Sequence, residues 1–431
     1  MIFKFTFSNV FSFKNKQEIS FDPEPLKEFP EHLVTPKEYG FEEKILRSLA
    51  VYGHNSHGKS NLIKVFEFFT FFTRNSFKDS QSLKILEPFA LSTETVNRPS
   101  FFEIIVLVNN VKYRYGFEAT SEKIISEWLY YAPHATKESN LFVRAEQGFR
   151  ISKLWNKESD SKIEAQAVPF AIPTVLLYSV LLAQQNERIG KLAEVINSIV
   201  VINNTKNLEL LSKAASIYSN ESYALKVQSF IEDADLGFKT IFNKIEQKLI
   251  GPNSLDEQFL KKIFFESNVT KFELYTYHKI YDEFYNEKKV IEFDLLKKES
   301  DGTIKFFVIV SMLVFAIKNN LLLIIDELDS KFHSDLLNLI IKKFHSLNIN
   351  NAEAQLIFTS HNTILLDKKL RRDQVLLIEK NEYGESSLRP MHTKKTPIRI
   401  DASIEKDYRK GKLGGVSKKM RNNPNQQSLF D

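Results

Sequence analysis

The stretch VYGHNSHGKSNLIKVFEFF, residues 51–69, decides the fold. It contains the pattern G-x-x-x-x-G-K-[ST] of a phosphate-binding loop, preceded by an apolar run typical of a strand. An apolar-periodic run follows and predicts a helix from Lys59 to about Thr73. Glycines let backbone N–H groups curl around phosphates, and the helix start adds the positive end of its dipole. A turn that merely contains Gly-Lys-Ser is the competing interpretation, and the strand and helix on either side favour a nucleotide site.

Within this loop the side chain of Lys59 is expected to reach the β- and γ-phosphates, and the Ser60 hydroxyl to bind Mg²⁺. The two histidines are unusual, but their positions contribute mainly backbone groups. The predicted nucleotide-binding residues are Gly53, His54, Asn55, Ser56, His57, Gly58, Lys59, Ser60 and Asn61.

Two further apolar strands end in residues suited to nucleotide chemistry. LLLIIDELDS, residues 321–330, ends a strand at Asp326 and Glu327. An Asp at a strand end can hold Mg²⁺, and an adjacent Glu can deprotonate the attacking water. The alternative is an ordinary acidic strand end or helix start. QLIFTSHN, residues 355–362, ends at His361, which parallel neighbouring strands with matched ends would bring beside the γ-phosphate; a plain loop histidine is the alternative.

The segment Ser300-Asp301-Gly302-Thr303 precedes an apolar helix. Its hydroxyl and backbone N–H groups could bind an anion. An ordinary helix N-cap is an equally good interpretation of the same residues.

Composition sets outer limits on the kind of protein. The chain has 431 residues, a net charge of +5, 43% hydrophobic residues and no cysteine. Without cysteine there is no disulfide, thiolate catalysis or cysteine zinc site, which fits a cytoplasmic protein. The most apolar stretch, residues 306–317, is too short to span about 30 Å of hydrocarbon, so a buried core helix and no membrane span are expected.

The pattern along the chain predicts an α/β protein of two or three lobes. Residues 1–160 are mainly strand-like, with VNNV (residues 108–111) as a hairpin turn, and form lobe I. Residues 161–285 are helical in pattern and are interpreted as an insertion that serves as an oligomer or partner surface. Residues 286–392 alternate strand and helix and predict a mostly parallel sheet flanked by helices, lobe II. Residues 393–431 are a basic tail.

This ordered set of motifs resembles the ABC-type ATPases of the SMC, RecF and OLD group. The resemblance implies an ABC-type ATPase head in which Lys59 and Ser60 bind ATP and Mg²⁺ and Asp326 supports the metal. It also implies that Glu327 is the general base and that His361 senses the γ-phosphate. Ser300 and Gly302 would act in trans on the nucleotide of another subunit, which requires at least a homodimer. Phe332-His333 stands at the place of the family's D-loop, and a Q-loop glutamine has no clear counterpart.

A closer resemblance, to the AAA-family ATPases of the AbiLi, RloA or AriA type, extends over nearly the whole chain. The stretches that carry it are FTFSNVFSFKN, AVYGHNSHGKSNLIKV, ESDGTIKFF, IIDELDSKFH, TSHNTILLD and LRRDQVLLIEKNEYGESSL. Members act in anti-phage defence or abortive infection and are commonly encoded beside a separate effector. The resemblance implies a slow ATPase that senses a phage trigger protein and controls a co-encoded effector, such as a Toprim-type nuclease.

Two alternatives belong to other functional classes. A RecF-like or SMC-like DNA-repair ATPase would bind duplex DNA and the sliding clamp directly. A nuclease within this chain would need acidic metal ligands, and after His361 there is no Asp-x-Asp. Asp233-Ala-Asp235 lies in a helical setting and is better interpreted as a solvated helix face or helix end. No nuclease activity is therefore expected in this chain.

The tail carries two weaker signals. Residues 393–421 contain ten Lys or Arg and three acidic residues, which suits either phosphate binding or a solvated basic terminus. At the end, Gln426, Leu429 and Phe430 resemble the peptide by which bacterial proteins dock on the DNA sliding clamp. Packing on a neighbouring protomer or on an effector is the alternative for this exposed apolar pair.

Overall fold

The computed structural model describes residues 1–36, 43–109, 111–133, 137–145, 148–152, 173–203, 208–238, 240–243, 273–350, 353–367, 369–399 and 402–415. The chain divides into two compact units. Unit 1 comprises Met1–Val201, Asn320–Leu328 and Glu353–Asp431, and unit 2 comprises Ile202–Asn319 and Asp329–Ala352. Each unit is described by itself.

The elements of the described residues are numbered in chain order. The strands are β1 Ile2–Ser8, β2 Gln17–Ser20, β3 Leu33–Val34, β4 Ile45–Leu46, β5 Ser48–Tyr52, β6 Ser100–Val108, β7 Val111–Ala119, β8 Ile124–Pro133, β9 Ser139–Ala145, β10 Gly148–Ile151, β11 Ile199–Ile202, β12 Ile241–Asn243, β13 Leu274–Tyr281, β14 Glu287–Asp294, β15 Leu322–Ile325, β16 Gln355–Ser360, β17 Val375–Lys380 and β18 Ser386–Pro390. The α-helices are α1 Lys59–Asn75, α2 Leu177–Ala183, α3 Glu187–Asn197, α4 Leu208–Tyr218, α5 Glu221–Ala234, α6 Leu295–Lys298, α7 Asp301–Asn319, α8 Ser334–His345 and α9 Ile404–Arg409.

The first sheet of unit 1 has the strand order β10-β9-β8-β7-β6-β1-β2, and each strand is antiparallel to its neighbours. Strands β6 and β7 form the hairpin that the VNNV turn predicts, with Val108 paired to Val111. Asn109 in this turn has φ 48°, in the left-handed region that asparagine tolerates better than most residues. The strand-rich character of the N-terminal sequence is thus confirmed.

The second sheet of unit 1 positions the site. Its order is β11-β15-β16-β5-β17-β18, and the strands β15, β16, β5 and β17 run parallel to their neighbours. Only β18, among these paired strands, is antiparallel to its neighbour β17. Strands β5, β15 and β16 are buried along their whole length, which explains their continuous apolar sequences. The predicted α/β fold class, with a β lobe and a mostly parallel sheet, is confirmed.

Helix α1 packs on the antiparallel sheet through aromatic side chains. The ring of Phe66 stacks on Phe5 with 4.6 Å between centroids, and Phe69 stacks on Phe117 at 6.1 Å. The same apolar cluster includes Leu49 of β5 and Ile324 of β15. Because α1 begins at the phosphate-binding loop, this packing holds the start of the helix at a defined place on the core.

Unit 2 is organised around α7, a helix of 19 residues whose span from Phe306 to Ile317 is buried throughout. It packs on α4 and α5 through aromatic pairs, Tyr218 with Phe307 and Tyr223 with Phe315. The apolar stretch 306–317 is therefore a core helix, as predicted. In the described part of the chain, no helix combines the length and apolarity needed to cross a membrane.

Two of the predicted ranges contain elements that differ from the sequence interpretation. The stretch KVIEFDLL, residues 289–296, lies in the range predicted to form the parallel sheet, but its strand, β14, pairs antiparallel with β13 in a small sheet of order β12-β13-β14. Most of β14 is exposed, so its apolar residues do not mark a buried parallel strand. The range 161–285, predicted to be helical, contains the strands β11, β12 and β13. The aromatic residues of β13 also suit a half-exposed strand.

The Asp-x-Asp tripeptide lies where the helical interpretation placed it. Asp233 is in α5 and forms an ion pair of 2.6 Å with Lys343, and Asp235 ends the helix with a left-handed φ of 47°. The predicted domain boundaries at residues 160, 285 and 392 stay predictions.

Candidate functional site

Three parallel strands of unit 1 bring the predicted motifs to one edge of the sheet. Strand β16 lies between β15 and β5, with Phe358 paired to Ile325 and Ser360 paired to Tyr52. Strands β5 and β16 end level with each other, and β15 ends two residues earlier along β16, so Gly53, His361 and Asp326 follow them at the same carboxyl edge. Such an edge is where open α/β sheets bind ligands. The sheet thus brings these residues together, and their individual roles stay predictions.

The phosphate-binding loop needs both of its glycines. A Cβ on Gly53 would lie 2.3 Å from Cγ2 of Ile378 and 2.6 Å from the Ile378 carbonyl oxygen. Gly58 has φ 113°, a conformation that other residues rarely adopt. Gly58 is the N-cap of α1, and the first backbone N–H groups of a helix are the ones to which an anion can bind.

Lys59 is 6% exposed, and its amino group turns back onto the loop. Its Nζ donates hydrogen bonds to the carbonyl oxygens of Gly53, at 2.6 Å, and His54, at 3.3 Å. These two bonds hold the amino group of Lys59 against the first residues of the loop. The neighbouring Ser60 is exposed, so its hydroxyl is accessible to a metal ion on the nucleotide.

The two histidines shape the loop through their backbones. The carbonyl oxygen of His57 accepts a hydrogen bond of 2.8 Å from the Ser386 hydroxyl, and the N–H of His54 donates to the Gly415 carbonyl at 2.9 Å. Burial, aided by the nearby His54 ring, lowers the pKa of His57 below its ordinary value. Asn55 and Ser56 are exposed at the tip of the loop, and Ser56 has φ 65°.

The hydroxyl of Thr359, a residue that the sequence analysis did not single out, bonds to both residues of the acidic pair, Asp326 and Glu327. The side chain of Thr359 donates a hydrogen bond of 2.6 Å to Oδ1 of Asp326 and accepts one of 2.7 Å from the N–H of Glu327. Glu327 is exposed and has φ 47°, in the left-handed region. The sequence signal for Thr359 was a polar residue at the end of a buried apolar strand, two positions before His361.

These residues suit ATP and Mg²⁺ by their donor chemistry. Magnesium prefers oxygen ligands and commonly combines one or two protein groups with phosphate oxygens. The Ser60 hydroxyl and the Asp326 carboxylate are such oxygens, and Lys59 supplies the positive charge for the phosphates. Within the described ranges, no cluster of three or more His, Cys, Asp or Glu side chains could hold a metal ion alone.

The remaining predicted segment, residues 300–303, lies in unit 2. The Ser300 hydroxyl accepts a hydrogen bond of 3.1 Å from the Thr303 N–H and so caps α7, which confirms the N-cap interpretation. Asp301 pairs with Lys331 at 2.7 Å, and a Cβ on Gly302 would lie 2.8 Å from the Lys331 carbonyl oxygen. Ser300 and Asp301 are exposed. Their role toward a nucleotide stays a prediction.

The segment around Phe332 and His333, at the place of the D-loop, also belongs to unit 2. The Phe332 ring packs edge-on against Phe306 of α7 at 6.0 Å, while His333 is exposed. The amino group of Lys305 donates to the Ser330 carbonyl at 2.9 Å and lies 5.1 Å from the centre of the Phe332 ring. The start of α7 and this segment are therefore tied together within unit 2.

Part of the basic tail is built into the site region of unit 1. Helix α9 places Tyr408 edge-on to Tyr52 at 6.0 Å, and Glu405 accepts a hydrogen bond of 2.9 Å from Thr363. The Gly415 N–H donates to Oε1 of Glu379 at 2.6 Å. The sequence contained no motif for these contacts. Gln426, Leu429 and Phe430 lie outside the described residues.

Comparison with known proteins adds a weak structural likeness. A solved structure of an SMC head bound to the C-terminal winged-helix domain of ScpA is similar over 90% of this chain and 97% of that chain, with 12% identity and a TM-score of 0.46. The SMC head domain from Thermotoga maritima is similar over 91% of this chain and 99% of that chain, with 13% identity and a TM-score of 0.39. The recombination mediator RecF is similar over 90% of this chain and 98% of that chain, with 12% identity and a TM-score of 0.36. Among curated proteins no match was found.

Sequence comparison with protein families is more specific. Residues 48–367, well over half of the chain, match the family described as "AAA domain, putative AbiEii toxin, Type IV TA system". The match begins at β5 and includes the phosphate-binding loop, the Ser300 segment, the acidic pair and His361. The chain belongs to this family of AAA ATPase domains.

Proposed function

We propose that this protein binds ATP with Mg²⁺ and hydrolyses it slowly, in a site that two copies of the chain complete. The observation that carries the proposal is the pairing of β15, β16 and β5, which aligns Asp326, His361 and Gly53 at one sheet edge. Family membership supports the same chemistry. The ATPase acts as a switch, because slow hydrolysis suits the reset of a conformational state.

Each residue has a distinct part in the reaction. Lys59 neutralises the β- and γ-phosphates, while Ser60 and Asp326 hold the Mg²⁺ that offsets their charge. Glu327 takes a proton from water, and the water oxygen bonds to the γ-phosphorus as the bond to the β–γ bridging oxygen breaks. ADP leaves with the bridging oxygen, and inorganic phosphate carries the oxygen from water. His361 hydrogen-bonds the γ-phosphate and distinguishes ATP from ADP.

The second copy contributes the segment Ser300–Thr303. Ser300 and Asp301 are exposed at the N-terminus of α7, where the dipole of a 19-residue helix favours an anion. The Ser300 hydroxyl and the N–H groups of this segment would contact the γ-phosphate held by the other subunit. The protein is therefore at least a homodimer when ATP is bound.

The ATP-bound assembly controls a separate effector in anti-phage defence. The family description, which names a toxin–antitoxin system, and the resemblance to abortive-infection ATPases support this role. Unit 2 offers a surface for the effector or for the phage trigger, since several of its large apolar side chains are strongly exposed. They are Leu208, Leu225, Phe284 (74% exposed) and Tyr285 (87% exposed). A co-encoded Toprim-type nuclease is the effector that we expect.

Subunit mixing tests the shared site. K59A and S300A proteins are each expected to lack ATP hydrolysis, and a mixture should regain about a quarter of the wild-type rate if dimers pair at random. A mixture that stays as inactive as its components would overturn the in-trans site. Wild-type activity is then measured with duplex DNA and with the product of the neighbouring gene. Stimulation by plain DNA alone would overturn the effector role.

A further inference from the structure

The hydroxyl of Thr359 joins the two acidic residues of the site. Thr359 is the penultimate residue of β16 and is 0% exposed. Its Oγ1 uses its one proton toward Oδ1 of Asp326, at 2.6 Å, and accepts the N–H of Glu327, at 2.7 Å. A short bond to a carboxylate is among the stronger hydrogen bonds in proteins. The hydroxyl of Thr359 therefore donates to Asp326 and accepts from Glu327, so its orientation is defined by both residues.

The acceptor bond fixes an unfavourable backbone conformation. Glu327 has φ 47°, in the left-handed region, where the Cβ of any residue other than glycine crowds the backbone. Such conformations persist when surrounding contacts determine them, and they occur often at functional sites. The N–H of Glu327 is held by Thr359, and the next N–H, of Leu328, donates to the Thr359 carbonyl at 3.0 Å. The hydroxyl and the carbonyl oxygen of Thr359 thus both hold the turn in which Glu327 lies.

The donor bond orients the carboxylate of Asp326. A carboxylate at a strand end can rotate, and Mg²⁺ tolerates little departure from octahedral geometry. Because one oxygen of Asp326 is engaged by Thr359, rotation of the carboxylate is restrained before any metal binds. The same strand continues to Ser360 and His361, so one strand end supports both acidic residues and the predicted γ-phosphate sensor.

We propose that Thr359 is a positioning residue for ATP hydrolysis, which sets the metal-binding carboxylate of Asp326 and the backbone of the base Glu327. This inference rests on the proposed ATPase function and names a residue that acts through others. Thr359 contacts no nucleotide in this scheme. Its removal therefore slows the chemical step and raises the Mg²⁺ concentration that activity requires, while ATP affinity is kept.

The test compares T359V, which keeps the shape and loses the hydroxyl, with T359S, which keeps the hydroxyl. For T359V we expect kcat to fall about 10- to 100-fold, the effect of losing hydrogen bonds to a charged group and its neighbour. The Mg²⁺ concentration for half-maximal activity should rise, while the Kd for a fluorescent ATP analogue should stay within about twofold. T359S keeps both hydrogen bonds of the hydroxyl and should therefore recover at least about a third of the wild-type kcat.

The matched control is T73V. Thr73 is equally buried in unit 1, and its hydroxyl donates to the Phe69 carbonyl inside α1, away from the acidic pair. Its substitution should change stability and leave kcat and Mg²⁺ dependence within about twofold. A fall in kcat for T73V equal to that for T359V would overturn the specific role of Thr359.

E327Q separates failure of the inference from failure of the proposed function. If E327Q abolishes hydrolysis and T359V keeps the wild-type kcat and Mg²⁺ dependence, the positioning role is wrong and the ATPase assignment stands. If E327Q also hydrolyses ATP normally, the proposed catalytic assignment is wrong. Thermal unfolding is measured first, and T359A replaces T359V if valine prevents folding. Failure of both variants to fold would make Thr359 structural and overturn the inference.

Discussion

The amino group of Lys59 donates a hydrogen bond of 2.6 Å to the carbonyl oxygen of Gly53, so the last part of the phosphate-binding loop is closed onto its first residue. A second bond, to the His54 carbonyl at 3.3 Å, holds the cation in the same place. The loop is thereby organised around a buried positive charge. An incoming phosphate would meet this charge without a large rearrangement, which lowers the free energy needed for binding.

Replacing Lys59 with methionine removes this charge while keeping a similar volume. We expect ATP affinity to weaken by about 100-fold, since charge-assisted bonds to phosphate are lost. Titration with a fluorescent ATP analogue measures the change. K64M is the control, because Lys64 is exposed five residues further along the same helix. Equal affinities of K59M and K64M would contradict the assignment.

The E327Q variant should bind ATP but fail to turn it over. Glutamine keeps the size of the side chain and cannot accept the proton from water, and loss of a general base slows reactions about 10²- to 10⁴-fold. Phosphate release and size-exclusion chromatography with ATP measure hydrolysis and the trapped assembly. E122Q, in the exposed turn between β7 and β8, serves as the control. Unchanged turnover by E327Q would mean that another group is the base.

Two glycine substitutions should have opposite effects on stability. G53A brings a methyl group within 2.3 Å of Ile378 and should lower the free energy of unfolding by about 1–3 kcal/mol. G190A adds a methyl group inside α3, where nothing lies within 4 Å, and should raise stability by about 0.5–1 kcal/mol. Urea unfolding of both variants checks these signs. Destabilisation by G190A, or none by G53A, would contradict the packing described.

A buried carboxylate should make stability depend on pH. Glu127 is 0% exposed; it accepts hydrogen bonds from the N–H groups of Leu177 and Tyr178 at the start of α2 and from the hydroxyl of Tyr115. Burial raises the pKa of Glu127 above its ordinary value, although these bonds and Arg144 oppose the shift. For a raised pKa, the contribution to stability is full below the pKa of the unfolded chain. It is then lost as pH rises through the pKa of the folded state.

E127Q removes this titration and leaves one acceptor bond unmade, so it should destabilise the protein by about 1–3 kcal/mol. The deficit relative to the wild type should be greatest in acid and should shrink as pH rises through the pKa of Glu127. Urea unfolding across a pH series measures it, with the exposed E122Q as control. A deficit that does not change with pH would show that Glu127 does not titrate in this range.

Much of the site was predictable because local sequence determines it. Gly53, Gly58 and Lys59 form a pattern whose conformation and chemistry depend on neighbours within eight residues, with a strand before and a helix after. Asp326 and His361 could be found because each follows a buried apolar strand, and parallel strands align their carboxyl ends. The assignment of β14 failed because β-branched residues suit a half-exposed antiparallel strand as well as a buried parallel one.

The sequence by itself thus predicted the strand, loop and helix around Gly53–Lys59, the α/β class and the core helix α7, since each rests on spacing along the chain. Only the tertiary structure decided that Thr359 bonds to both Asp326 and Glu327, and that Gly415 lies against His54. These contacts join residues more than thirty positions apart, and they depend on strand order and on the direction of individual hydrogen bonds. No periodicity or motif along the chain encodes such pairings, because they arise only when segments far apart in sequence meet in the folded protein.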